Sequence, residues 1–377
     1  MGNEIIFWLS LGLVGYAYFG YPLLLGVMSL FRTREVMRAD ITPSVTFVIT
    51  AYNEEERIGE KLDNTLKLSY PKELLEIIVA SDCSTDRTDD MVRSYTDQGV
   101  RLIRASIRKG KEGTQQLAVR ATKGDILVFS DAATILQENA IRNIVSNFYD
   151  PTVGCVSSQD RFLDKEGRIS GEGAYVRYEM FLRVLETRVH SLVGLSGSFF
   201  AVRRTVCEPW ADDLQSDFNT LLNSVSSGMR GVMDPSSIGY YRNLTNEKQE
   251  YQRKVRTVLR GLSVIARRRG MLNPLCYGVF SWQLFSHKLC RWLVPFGLIA
   301  AFLCNLMLAS EAKMYAGMLV LQLCFYGIAV VGNISSMACR SLVKLAAFFV
   351  LVNVSILEAW VRFFKGHRVV AWESSRR

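Results

Sequence analysis

The chain has 377 residues, 49% of them hydrophobic, and a formal net charge of +9. That length exceeds one small core and leaves room for a globular domain plus a membrane part, while the positive balance fits an anionic substrate or an anionic membrane surface. No basic stripe with interleaved aromatics is present, so nucleic acid is not an expected partner, and the eight cysteines stand singly, against a disulfide scaffold or zinc site and in keeping with a reducing compartment.

Residues 5–31 are apolar for more than ~20 residues, enough to cross a hydrocarbon layer. No basic stretch precedes this run and no small-residue cleavage site follows it, which argues against a secretory signal. Arg32, Arg34 and Arg38 come next, and the positive-inside rule expects the following segment in the cytoplasm.

Residues 44–270 alternate between strand-like and helix-like stretches. Strands are expected at 45–50, 77–80, 100–103 and 126–129, and helices at 54–68, 85–95 and 112–121. This order predicts an α/β domain with a mostly parallel sheet and helices on both faces. Beyond 135 the alternation loosens. An amphipathic helix at 173–191, a strand at 198–202, a helix at 217–227 and a short strand near Val232 are expected. Residues 248–269 form a basic helix, read either as a membrane-surface helix or as a source of ligand-facing cations.

Apolar runs return at 292–309, 314–331 and 342–364, and 274–289 reads as a further interfacial helix. The first two runs make a hairpin of spans. If the third also spans, the tail with Arg368, Arg376 and Arg377 falls on the far side, against the positive-inside rule; otherwise it lies in the interface or re-enters. The expected layout is therefore 1–40 as a span and basic linker, 41–270 as the catalytic domain, and 271–377 as an interfacial helix with two or three spans. Cys276, Cys290, Cys304, Cys324 and Cys339 lie in or beside these runs, where packing is their expected role. His190, His287 and His367 are isolated and are assigned no ligand.

In open α/β sheets, ligands bind beyond the carboxyl ends of the strands. Four such ends bear polar clusters: Ala51-Tyr52-Asn53-Glu54, Ser81-Asp82-Cys83-Ser84-Thr85-Asp86, Arg108-Lys109-Gly110-Lys111 and Ser130-Asp131-Ala132-Ala133-Thr134. A lone acid after a strand can be a turn or a helix cap, as can Glu54, Asp86 or Asp217. Together, an acid for an imide N–H, a basic Gly-containing loop for phosphate and an acid for a metal describe a nucleotide-diphosphate site. Neither a Walker loop nor GxGxxG is present, so kinase, NTPase and NAD chemistry lack support.

With these motifs in place, the chain resembles the family-2 glycosyltransferases of GT-A fold, a nucleotide-diphospho-sugar transferase architecture with a Rossmann-like sheet, and within them the membrane-bound polysaccharide-synthesising branch. ITAYNEEERI resembles the first strand and uridine-contacting loop, and SDCSTDRT resembles the DDGSTDxT segment, so the resemblance puts Asp82 on the uracil-binding acid, with Ser81 in place of the acid before it. RKGKEGTQQ resembles the segment near the diphosphate, giving Lys111. SDAAT falls on the DxD motif. Asp131 is its first acid and the implied ligand of Mg2+ or Mn2+, while Ala133 replaces the second. LSGSFFAVRR resembles the acceptor-side segment, with Gly197 and Ser198, and LQSDFNT falls on the TED motif, so Asp217 is the implied general base. Residues 251–257 occupy the place of the QxxRW motif, with Arg253 and Arg256 facing the leaving diphosphate and Thr257 in place of Trp, which bears on processivity.

The resemblance implies an inverting glycosyltransferase that moves a sugar from a UDP-linked donor to a lipid-linked glycan or growing polysaccharide, at the cytoplasmic face of a bacterial inner membrane and with polysaccharide-export partners. Two alternatives stay open: transfer to polyprenyl phosphate, and a degenerate nucleotide-sugar-binding scaffold marked by Ser81 and Ala133.

Overall fold

A computed structural model describes residues 1–163, 174–242, 247–334 and 341–367. Of the described residues, 1–27, 247–263, 281–334 and 341–367 make up one unit, of helices, and 28–163, 174–242 and 264–280 a second, built on a sheet.

In the sheet unit, the strands among the described residues are β1 (Val45–Ala51), β2 (Leu75–Ser81), β3 (Val100–Arg104), β4 (Ile126–Asp131), β5 (Ile135–Leu136), β6 (Val153–Leu163), β7 (Phe199–Arg203) and β8 (Arg230–Arg242). They form one sheet in the order β3-β2-β1-β4-β7-β6-β8-β5. The first four are parallel, as the β-α-β-α order predicts. β7 runs antiparallel to both β4 and β6, so the sheet is mixed. β1 is buried along its whole length. Its alternate residues enter two cores: Phe47 and Ile49 pack with Ile58 and Leu62 of the Ile58–Leu66 helix, and Val48 packs on the other face with Ala118 and Val119 of the Gly110–Ala121 helix.

The helices at 54–68 and 85–95 prove shorter than expected, Ile58–Leu66 and Thr88–Arg93, because the polar residues before each are spent on turns. The larger departure follows residue 135. An eleven-residue β6 was not expected, and the short strand near Val232 is the thirteen-residue β8. Pairing of these two jumps from Ser157↔Met233 to Gln159↔Ile238, so the chain bulges around Pro235. A proline is tolerated in a strand at such a bulge.

The basic stretch after the first span is folded onto the sheet unit. Arg230, paired with Asp150 at 3.1 Å and buried, also donates to the carbonyls of Arg34 and Glu35 at 3.0 Å. Arg38 pairs with the buried Asp234 at 3.0 Å.

Among the described residues, four helices are long and apolar enough to cross a membrane: Gly2–Phe31, Val279–Leu308, Lys313–Gly332 and Val343–Phe364. These mark the chain as a membrane protein. The last apolar run is thus long enough to span. The tail arginines 368, 376 and 377 lie outside the described residues. The expected interfacial helix at 274–289 is not one element. Pro274–Tyr277 is a single turn closed by Gly278 at φ +52°, and Val279 opens the next long helix. The Gly2–Phe31 and Val279–Leu308 helices carry wide turns at Tyr16–Gly20 and Phe285–Cys290, upstream of Pro22 and Pro295, whose missing N–H breaks the helical ladder. Tyr16 joins them, its hydroxyl lying 2.7 Å from Ser286 Oγ and accepting from Trp282 Nε1 at 2.9 Å.

Candidate active site at the carboxyl edge of the sheet

Strand register gathers the candidate residues. Ala51 lies beside Ser81, Thr50 beside Asp131, and Ser130 beside Phe199, which follows Gly197 and Ser198. The parallel strands leave the sheet at this edge and the antiparallel β7 enters it there.

The turns after β1 and β2 fold into one another. Each contains a residue in the left-handed region, Asn53 at φ +52° and Cys83 at φ +61°. Asn53 Oδ1 accepts from Thr85 N at 2.8 Å, Glu54 N donates to Thr88 Oγ1 at 2.8 Å, and Glu55 N donates to Asp86 Oδ2 at 3.1 Å. Ala51 and Glu54 are buried, and Glu54 pairs with Arg57 at 3.2 Å, so both shape this edge from within. Tyr52 is half-buried under Arg108, whose guanidinium carbon stands 3.9 Å from the ring centre. Such a stacked pair presents a flat cationic surface.

Asp82 is 1% exposed. Its carboxylate accepts from Lys109 N at 2.7 Å, Gly110 N at 3.0 Å and Thr114 Oγ1 at 3.0 Å. It therefore sits at the N-terminus of the Gly110–Ala121 helix, where the backbone dipole favours an anion, and holds the loop that carries Arg108 and Lys109.

Next to it a lysine engages Asp131 and the Gly197 backbone, which Asp217 faces. Lys111 Nζ lies 2.5 Å from Asp131 Oδ1 and donates to the Gly197 carbonyl at 2.9 Å. Asp131 N donates in turn to Ser198 O at 3.0 Å. A Cβ placed on Gly197 would come within 3.1 Å of Asp217 Oδ2. Asp82, Asp131 and Asp217 thus border one small region of the sheet edge. Asp217 lies inside the first turn of the Ser216–Ser226 helix, whose cap is Gln215, so it is not the N-cap. Gln215 Nε2 donates to its Oδ2 at 3.1 Å. Arg253 and Arg256 stand on the Glu247–Arg267 helix, and Arg253 Nε pairs with Glu250 at 2.9 Å.

A divalent cation fits these residues poorly. Such ions in diphosphate sites take one or two carboxylates plus phosphate oxygens. Here Asp131 already holds an ammonium, the Ala133 side chain offers no oxygen, and no three His, Cys, Asp or Glu side chains among the described residues gather as a metal site.

Two residues of this region were missed. Lys61 is fully buried beneath the Asp131 turn, donating to Ser130 Oγ at 2.8 Å and Thr134 O at 2.6 Å. Its place between the core positions Ile58, Leu62 and Thr65 of an amphipathic helix was the available signal. Burial lowers its pKa to about 7, against the opposing pull of Asp131. The unfolded chain keeps this lysine charged up to about 10.5, so from pH 7 to 10.5 unfolding takes up a proton and stability rises with pH. Melting temperatures are expected to climb between pH 7 and 9, on the order of 1 kcal/mol per pH unit, and to stay flatter in Lys61→Met. Equal slopes for the two proteins would contradict this account.

The second is Asp160, at the end of β6. Ser198 Oγ donates to its Oδ1 at 2.7 Å, and Ser196 Oγ lies 2.5 Å from its Oδ2. Burial pushes its pKa up, opposed by the serine hydroxyls and by Arg183. Asp160 grips both neighbours of Gly197 and so sets the carbonyl that Lys111 binds and the backbone that Asp217 faces. Asp160→Asn is expected to lower turnover by about 10–100-fold with little change in nucleotide affinity, because small displacements of reacting groups cost that much. Steady-state kinetics beside calorimetric nucleotide titration separates the two effects.

Residues 46–210 match the family described as glycosyl transferase family 2. The chain is 25% identical over 197 residues to the poly-beta-1,6-N-acetyl-D-glucosamine synthase of Staphylococcus aureus, covering 48% of this chain and 47% of that protein. It is 24% identical over 265 residues to the probable glycosyltransferase YdaM of Bacillus subtilis, covering 64% and 63%. The chain thus spans about half the length of the first of these relatives. Among solved structures, the mannosyltransferase PcManGT from Pyrobaculum calidifontis, in complex with GDP-Man and Mn2+, superposes with a TM-score of 0.76 at 22% identity, covering 96% of this chain and all of that one. That likeness is one of fold.

Proposed function

We propose, for a chain whose residues 46–210 form a family-2 glycosyltransferase domain of GT-A fold, inverting transfer of a sugar from a UDP-linked donor to a hydroxyl of a lipid-linked glycan or growing polysaccharide. The observation that carries this reading is the Asp131–Lys111–Gly197–Asp217 arrangement, in which a cation is held on an acid of the donor side and on the backbone of Gly197, and a half-buried acid that does not cap its helix faces that same glycine.

Asp217 takes the proton of the acceptor hydroxyl. The acceptor oxygen attacks the anomeric carbon from the face opposite the diphosphate, and the bond between that carbon and the phosphate oxygen breaks. Nucleoside diphosphate leaves with the electron pair. Its developing charge meets Lys111 and the exposed cations of the 108–109 loop, a preorganised electrostatic role of the kind that lowers such barriers most. Tyr52 under Arg108 supplies the stacking surface for the base, and Asn53 shapes the turn beside it.

The arginines after the first span support a cytoplasmic orientation of the catalytic unit. The four candidate spans among the described residues are few for a polymer conduit, which supports assigning export of a finished glycan to partner proteins.

Purified full-length protein in lipid nanodiscs, given radiolabelled UDP-sugars and membrane lipid extract, is expected to yield labelled glycan and free UDP. A short organic-soluble product alone would reassign the acceptor to polyprenyl phosphate. Nucleotide binding without any turnover would leave only the scaffold.

A further inference from the structure

We propose that Lys111 is the resident cation of the donor site and does the electrostatic work of a divalent metal ion, so that the protein binds its nucleotide without one. This inference rests on the donor reading above.

The acid that would anchor a metal is already engaged. Asp131 Oδ1 lies 2.5 Å from Lys111 Nζ, and the lysine side chain is only 12% exposed. The position two residues on is Ala133, whose side chain brings no carboxylate to the site. Charge balance points the same way. Two acids with a divalent ion are neutral in sum, and one acid with one ammonium is neutral too. Loss of the second carboxylate therefore matches a single positive charge, and adding a divalent ion to Asp131 and Lys111 would leave two units of positive charge in excess.

Geometry favours a working cation over a mere structural pair. An ammonium has three N–H donors. Lys111 uses one on Asp131 and one on the Gly197 carbonyl, which fixes its direction at the strand ends and leaves the third for a phosphate oxygen. Lysine also binds phosphate as a compact point charge, suited to the same task. During transfer its proton stays on nitrogen, while the electron pair of the broken carbon–oxygen bond stays with the departing diphosphate.

The experiment is calorimetric titration of the full-length protein in nanodiscs with UDP and with GDP, in EDTA and in Mn2+, beside Mn2+ electron paramagnetic resonance. The expected result is that one nucleotide binds with the same affinity in both buffers and that Mn2+ shows no protein-dependent signal beyond its complex with free nucleotide. Lys111→Ala is expected to weaken binding by about tenfold or more in EDTA, the value of a charge-assisted hydrogen bond. The double variant K111A/A133D should regain affinity in Mn2+ alone, which also shows that the site still folds. Wild-type binding seen only with Mn2+ would overturn the proposal and leave the donor reading standing. Failure of both nucleotides in both buffers would remove the donor reading and this inference with it.

Discussion

Asp217→Asn is expected to lower sugar transfer by about 10²–10⁴-fold, the usual contribution of a general base, with nucleotide affinity and melting temperature close to the parent protein. An amide has the shape of the acid and can still accept from Gln215 Nε2, which donates at 3.1 Å, but it cannot take a proton. Stability should hold because Asp217 neither caps its helix nor is deeply buried. Glutamate should also fail, since the backbone of Gly197 is close enough that even a methyl group there would stand 3.1 Å from the carboxylate. Initial rates with labelled donor measure the effect. Transfer by Asp217→Asn at the parent rate would remove this residue from the base role.

Loss of Asp82 is expected to cost more in folding than any other change at this edge. Asp82→Ala leaves two backbone N–H groups without their acceptor, while the Thr114 hydroxyl keeps the Gly110 carbonyl at 2.9 Å. Buried groups left unpaired cost about 1–3 kcal/mol each, so a loss of roughly 3 kcal/mol in stability is expected. Nucleotide affinity should fall with it, because the loop bearing Arg108 and Lys109 loses its anchor. Asp82→Asn should be nearly as harmful, since its NH2 group would face a donor. Thermal melts of the three proteins in the same nanodiscs check this, and an unchanged melting temperature for Asp82→Ala would contradict the anchoring role.

The donor half of the fold was legible because physics there is local. A run such as residues 45–50 is β-branched and buried on both sides, so it can only be an inner strand. Its polar end then has to face a ligand or a neighbouring turn. Asp82 and Asp131 were readable for that reason, whereas Asp217, in the first turn of a helix, was reached only through the resemblance of LQSDFNT to the TED motif. β6 was not, because its Ser157-Ser158-Gln159-Asp160 segment lacks alternation, and its polar side chains are satisfied by residues about forty positions away, as Ser158 is by Phe199 O and Asp160 by Ser198. β8 hid behind Pro235, whose bulge exists only in its pairing with β6. The interfacial helix at 274–289 failed at one residue, Gly278, whose left-handed backbone starts a new element where hydropathy saw a continuous slope. Lys61 shows the converse: its position in the helix was visible, but its burial needed the Ser130 and Thr134 acceptors to be in place.

Gly197 constrains how a lineage carrying this catalyst could diversify. With Asp217 Oδ2 within 3.1 Å of any methyl there, and the same residue's carbonyl committed to Lys111, a side chain at 197 would have to displace the carboxylate by a few tenths of an ångström, so a change of acceptor built at this position would disturb the base as well.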